Sequence, residues 1–290
     1  MEIFKNYDFF AAFTNKSFIE GINNKSEITA ENFYDKPNNL SFAQNPVASN
    51  WQATTEKINS LTYLKLHTLI IQINFGGLGD HLFYSHLPRI AKETGRYDKV
   101  YISNQSGFRQ EAFKKLIWMS NPYVDGFTDL PGYIMTSLKY NPEINIMDQV
   151  MLLSNLDDGK RFHEPELYFK PIIKPELQGK IIFDPNYISN AGDKISKQNI
   201  ENYFQKNNIN IDYQMQLRDM SVSISNFTNW LHSDSLEDFM SIIVSCKEIY
   251  CFVTGTATLA CALGKKAHVF YDKEFSRQFL HSKINTYVEL

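Results

Sequence analysis

The segment at residues 70–93, IIQINFGGLGDHLFYSHLPRIAKE, most constrains what this chain can fold into. Leu69, Ile70, Ile71, Ile73 and Phe75 form an apolar run that halts at Gly76-Gly77-Leu78-Gly79-Asp80. Beyond it Leu82, Phe83, Leu87, Ile90 and Ala91 recur at helical spacing. Strand, glycine turn and helix in that order open an α/β domain that handles nucleotides or sugars. Asp80 falls where strand gives way to helix, at the crevice in which open α/β sheets bind ligands. The simpler alternative is that Asp80 only caps the helix, for which Asp is a favoured residue. The helix is expected to run on to Gly95, a C-terminal cap signal, with a local kink at Pro88.

A dinucleotide-binding turn is disfavoured. Gly77-Leu78-Gly79 supplies two glycines, but Leu82 stands where the third belongs. The next strand, 99–103, ends in Ser103-Asn104 and not in the acid that would hold a ribose. A carboxylate at the helix start would also repel a bound pyrophosphate.

At 290 residues the chain suits two modest α/β domains or one large one. A net charge of −3, with Lys and Arg scattered, calls for no nucleic acid and argues against a polybasic membrane anchor. Cys246, Cys251 and Cys261 match no zinc spacing and read as buried thiols, which suits a reducing cytoplasm. The N-terminus lacks the layout of a signal peptide, and no run approaches the ~18 apolar residues of a membrane span. A cytoplasmic protein is expected, with peripheral association at the inner membrane left open.

Residues 1–66 read as an N-terminal extension packed on the body, because aromatics such as Phe9, Phe13, Phe33 and Trp51 recur there. Ser49 could cap a short helix over 51–60. A helix is expected at 108–119, a turn at Asn121-Pro122-Tyr123-Val124-Asp125-Gly126, and either a strand or a buried helix at 146–154. Pro171, Pro175 and Gly179 mark an extended linker, so a domain boundary is placed near 175, giving domains over 67–175 and 176–290. The second half begins with a strand at 181–183 and a helix at 196–206. After a poorly patterned middle, a helix follows the capping candidates Asp234 and Ser235. A buried strand (249–253), a short helix (256–263) closed by Gly264, and a strand (267–271) complete the pattern.

Thr254-Gly255-Thr256-Ala257-Thr258 joins that buried strand to the short helix. Glycine permits close approach of backbone, and free amides at a helix start attract anions. Three hydroxyls add donors without charge. The turn reads as a diphosphate cradle or, more simply, as a polar turn with a threonine cap. A carboxylate in one half and a cradle in the other suggest a base facing a sugar nucleotide across a cleft.

These stretches resemble a known family. GGLGDHLFYSHLPRIAKE is similar to the opening turn and helix of the heptosyltransferase-type glycosyltransferases, family 9. NPYVDGF at 121–127 resembles a turn found after their third strand. SLEDFMSIIVSCKEIYCFVTGTATLACALGKKAHVF at 235–270 resembles their nucleotide-binding end. The resemblance implies a GT-B-like α/β fold, with two Rossmann-like domains facing a central cleft. It implies inverting, metal-independent transfer of a sugar from a nucleotide-sugar donor to a bacterial surface glycan of lipopolysaccharide or capsule type. The acceptor would be a glycan or lipid-linked glycan, with no further cofactor. Asp80 matches the general base, Thr254 and Gly255 match the donor-phosphate residues, and Lys194 is loosely similar to a donor-phosphate lysine. The sequence departs from the family at Val253, where an acid is usual, and at Thr258, where a histidine is usual.

The candidate site therefore comprises Asp80 as base; Thr254, Gly255, Thr256, Ala257 and Lys194 for phosphate; Gly77, Gly79 and His81 on the acceptor side; and Thr258 and Glu237 near the donor. The absence of an Asp-x-Asp motif adds to the expectation of no metal. His86, Arg89, His163 and Tyr271-Asp272 are weaker candidates; Arg89 is expected to project into solvent. Two other readings stay open: a non-catalytic nucleotide-sugar or glycan-binding module, encouraged by Val253 and Thr258, and a sugar-nucleotide epimerase on the same fold. Gly76-Gly77-Leu78-Gly79 also resembles the opening of fucosyltransferases with a GGLGNQ motif.

Overall fold

The computed structural model describes residues 67–132, 144–187, 194–216, 224 and 227–290. By its contacts the chain divides into Met1–Leu61 and Thr62–Leu290, and the described residues all lie in the second unit. The expected N-terminal extension, with its helix over 51–60, lies outside the described residues.

Two parallel sheets carry the fold. The first has β1 (Thr68–Ile71), β2 (Lys99–Ser103) and β3 (Gly126–Thr128) side by side in that order. The second contains β4 (Ile181–Asp184), β5 (Ile211–Met215), β6 (Phe227–Leu231), β7 (Glu248–Phe252), β8 (Ala267–Tyr271) and β9 (Thr286–Glu289). Their spatial order is β6-β5-β4-β7-β8-β9. The chain thus steps outward from β4, then returns to its other side at β7, which is the doubly wound Rossmann order. In open sheets of this order ligands bind at the reversal point, which here lies between β4 and β7.

Strand alternation divides the second sheet into two unlike faces. Ile182, Ile249, Cys251 and Val269 join a buried cluster that continues into the first sheet through Leu69, Ile71, Val100 and Ile102. Phe183, Tyr250, Phe252 and Phe270 point the other way, packing with Ile200 and Phe204 of α5 (Lys197–Lys206). Both faces are covered, which is why these strands read as unbroken apolar runs.

Several helices differ from expectation. The first expected helix is two: α1 (Leu78–Leu82) and α2 (Leu87–Glu93). Pro88 lies in the first turn of α2, where no intrahelical acceptor exists for its missing N–H, so it starts a helix and kinks none. The helix expected at 108–119 begins at α3 (Glu111–Phe113) and continues as a π-helical stretch, Lys114–Met119. The undecided segment is helix α4 (Ile146–Leu153), capped by Asn145. The expected linker lacks regular structure until a 3₁₀ turn at Pro175–Leu177. Ser235 caps α6 (Leu236–Ser245), Thr254 caps α7 (Gly255–Ala262), and Gly264 follows at φ 68°. The poorly patterned middle holds β5 and β6. All three cysteines are buried and free, and no helix among the described residues is long and apolar enough to cross a membrane.

Candidate functional site

The β1–α1 turn is built by close backbone approaches. Gly76, at φ 69°, lies against Gly107, where an added Cβ would sit 2.3 Å from the Gly107 carbonyl oxygen. Gly77 is the N-cap of α1, so Asp80 is the third helical residue and not the cap itself. Its Oδ2 reaches back to accept the Gly77 amide at 2.8 Å. Asp80 lines a small pocket with Ile73, Asn74, Phe75, Phe83 and Tyr84. Burial raises its pKa, outweighing the Gly77 hydrogen bond and the charge of Arg109, both of which lower it. Arg109 was absent from the sequence reading; it is exposed, and its backbone amide joins Gly76. A raised pKa makes a carboxylate the stronger base once it is ionised.

His81 does not face this pocket. It is fully buried, with Trp118 donating to its Nδ1 at 3.0 Å and its Nε2 bonded to the Gly107 carbonyl at 2.9 Å. Those partners assign the proton to Nε2. Burial pulls the pKa down to about 4, and Phe108 stacks on the ring. His81 therefore braces α1 against the loop after β2, and no ring nitrogen is left for an acceptor.

The second turn meets the first directly. A Cβ on Gly255 would lie 3.0 Å from the Gly79 nitrogen and 3.1 Å from Leu78 Cβ, and one on Gly79 would lie 3.3 Å from Gly255 Cα. Glycine at both positions lets the first turns of α1 and α7 touch backbone to backbone. The expected base and cradle are in contact here, with no open cleft separating Gly79 from Gly255.

The three hydroxyls of this turn are engaged inside the protein, contrary to their expected role as free donors. Thr254 Oγ1 accepts the Thr256 amide at 3.3 Å, and the Ala257 amide goes to the Thr254 carbonyl. Thr256 Oγ1 donates to Asp184 Oδ2 at 2.6 Å. Thr258 is buried, with Oγ1 3.1 Å from His281 Nε2. The Gly255 amide, first in the helix, has no intrahelical acceptor, and the residue packs against Gly79 and Leu78.

Asp184 was missed. It ends β4 beside the reversal point and pairs in register with Cys251. The side chain is fully buried and accepts hydrogen bonds from Thr256, the Asn186 side chain and the Asn186 amide. Its only sequence signal was an apolar strand ending in Asp-Pro-Asn. Val253 leaves the turn without its own acid; Asp184, on the neighbouring strand, holds the turn from behind.

The outer candidates lie elsewhere. Lys194 is exposed and pairs with Glu274 beyond β8. Glu237, in the first turn of α6, is 3.6 Å from Lys115. Arg89 is tied to Glu93 and to Glu166, the latter at 2.7 Å, so it does not simply project into solvent. His86 is completely buried, and His163 binds Asp148 at 2.8 Å in a segment that straps over α4. Among the described residues no three His, Cys, Asp or Glu side chains are grouped to hold a metal ion.

No protein-family model and no curated protein matches the sequence. Solved structures do match the fold. A family 9 glycosyltransferase from Veillonella parvula superposes with a TM-score of 0.53 at 8% identity, over 77% of this chain and 86% of that one. ADP-heptose lipopolysaccharide heptosyltransferase II of E. coli gives 0.52 at 12% identity, over 77% of this chain and 90% of that one. The iron-containing dodecameric glycosyltransferase TibC of enterotoxigenic E. coli gives 0.52 at 11% identity, over 76% of this chain and 62% of that one. The chain thus has the α/β fold of the family 9 heptosyltransferases.

Proposed function

We propose that this chain is a glycosyltransferase that moves a sugar from a nucleotide-sugar donor to a bacterial surface glycan of lipopolysaccharide or capsule type. The observation that carries this reading is the contact of the Asp80 turn with the amide-bearing turn of α7, at Gly79 and Gly255, on a fold shared with family 9. TibC has been captured with ADP-D-β-D-heptose, which supports a nucleotide-sugar donor here.

The proposed reaction is a single displacement with inversion. Asp80 takes the proton of the acceptor hydroxyl as its oxygen attacks the anomeric carbon opposite the leaving diphosphate. Such a base contributes about 10²–10⁴-fold. Charge that grows on the leaving group is met by the Gly255 amide and the positive end of α7, with no metal required. Lys194 could add charge only after leaving Glu274. The protein would work in the cytoplasm, with peripheral contact at the inner membrane where its lipid-linked acceptor resides.

The test is release of nucleoside diphosphate from a panel of nucleotide sugars, with and without lipopolysaccharide-core acceptors. It is run with and without EDTA, on wild type and Asp80→Asn. Acceptor-dependent release that survives EDTA and collapses in the variant supports the reading. Equal release by the variant removes Asp80 as base. Donor binding without release would favour a binding module, the reading that the inward-turned hydroxyls at 254, 256 and 258 support.

A further inference from the structure

The break between α1 and α2 sets two aromatic side chains beside the candidate base. α1 stops at Leu82, and Phe83 and Tyr84, in the turn that follows, are buried and line the Asp80 pocket. Ile73 is buried on the same lining, whereas Phe75 is 62% exposed. Single exposed aromatics are common on protein surfaces. This one is set apart by its place, on the lining of the pocket that holds the base. Tyr84 carries the only hydroxyl on that lining. Among the described residues the hydroxyl has no hydrogen-bond partner, and it is not one of the sealed unpaired atoms of the interior. A ligand can therefore reach it. Burial and the nearby Asp80 charge both push the phenol pKa up, so the group keeps its hydrogen and stays a donor.

Resting on the glycosyltransferase reading and deepening its acceptor side, we infer that Phe75 and Tyr84 form the subsite for the acceptor's reactive sugar. A pyranose ring has an apolar face of C–H bonds and a rim of hydroxyls. The face packs on an aromatic ring, as Phe75 offers, and the rim needs a few placed polar groups, as Asp80 and Tyr84 offer. The pocket has room for one water-sized group. A single hydroxyl enters it while its ring stays at the mouth against Phe75. That hydroxyl meets Asp80, and Tyr84 donates to a neighbouring oxygen of the same sugar, which decides which hydroxyl reacts. Asp80 supplies the only charge on the lining, so an uncharged ring suits the subsite better than a phosphate does.

The experiment is steady-state transfer to delipidated lipopolysaccharide-core oligosaccharide, with acceptor and donor varied in turn. Phe75→Ala is expected to raise the acceptor KM by about two- to tenfold and to leave the donor KM unchanged. Phe75→Tyr keeps the ring and should stay near wild type. Tyr84→Phe loses only the hydroxyl; it should lower kcat/KM for the acceptor by about two- to tenfold. Its product, read by NMR, should carry more than one linkage. An unchanged acceptor KM in Phe75→Ala, or an equal rise in donor KM, overturns the inference alone. So does a loss seen only with intact, lipid-linked lipopolysaccharide, or a Tyr84→Phe variant with wild-type kinetics and linkage. A wild type that releases no nucleoside diphosphate from any nucleotide sugar, with any acceptor, overturns the parent reading and this one with it.

Discussion

The turns after β1 and β7 have the same plan, strand then glycine then helix, yet they present opposite chemistry. The first turn displays a side chain. Its glycines allow close packing against Gly107 and Gly255, His81 anchors the helix from behind, and Asp80 lines the pocket. In the second turn the Thr256 and Thr258 hydroxyls go inward to Asp184 and His281. The proposed function gives the first turn a proton to move and the second an anion to hold. The comparison also shows that hydroxyls in a glycine turn are not donors until their own partners are known.

The largest effect that separates the two turns is kinetic. Asp80→Asn should lower transfer by about 10²–10⁴-fold while donor binding persists, checked by turnover alongside calorimetry. In the wild type, log(kcat/KM) should rise with pH and level off, because Asp80 acts only when ionised. The limb should lie above the usual carboxylate range, since burial raises this pKa.

Next is the backbone. Gly76→Ala forces a Cβ within 2.3 Å of the Gly107 carbonyl at a positive φ. The left-handed conformation alone costs on the order of 1–3 kcal/mol, and the collision adds to it. Chemical denaturation should show the loss, with the Asp80 turn disturbed along with the fold.

The brace behind the first turn gives a smaller effect. Trp118→Phe removes the donor to His81 Nδ1 and leaves that atom buried without its partner, at a cost of about 1–3 kcal/mol. Acid should act on this brace and on His281, the partner of Thr258 in the second turn. His81 and His281 are held down to about 4 by burial, below the ordinary value of 6.5. Both contribute fully above pH 6.5, and that stability is lost as pH falls through about 4, because the unfolded chain binds those protons first. Thermal midpoints between pH 7 and 4 should fall in the wild type. The fall should be shallower when His281 is replaced by Phe.

The smallest effect should come from Lys194→Ala. Its pair with Glu274 is exposed on both sides, and exposed pairs contribute little. The thermal midpoint should not move measurably, and nucleotide binding should change less than in Gly255→Asp.

Much of the frame was legible in the sequence because local pattern determines it. The strands at 99–103 and 267–271 and the Ser196-capped helix fall where their alternation and capping residues place them. Pro88 was misread because a proline inside an apolar periodicity looks the same whether it bends one helix or starts the next. That the two glycine turns belong together was legible, although they were expected to face each other across a cleft and instead touch at Gly79 and Gly255. The fate of the hydroxyls was not: Asp184 is 72 residues from Thr256 and His281 is 23 from Thr258, and only the sheet order brings them together. Arg109 escaped notice because its position beside Asp80 depends on the Gly76–Gly107 approach, a tertiary contact with no local signature.

The most direct test is a thermal-shift panel of nucleoside diphosphates and sugar nucleotides on wild type, Gly255→Asp and Asp80→Asn. A ligand at 100 times its dissociation constant should stabilise by about 2.7 kcal/mol. The account predicts a shift for one nucleotide class that Gly255→Asp abolishes and Asp80→Asn retains. No shift across the panel, or a shift that survives Gly255→Asp, would contradict it.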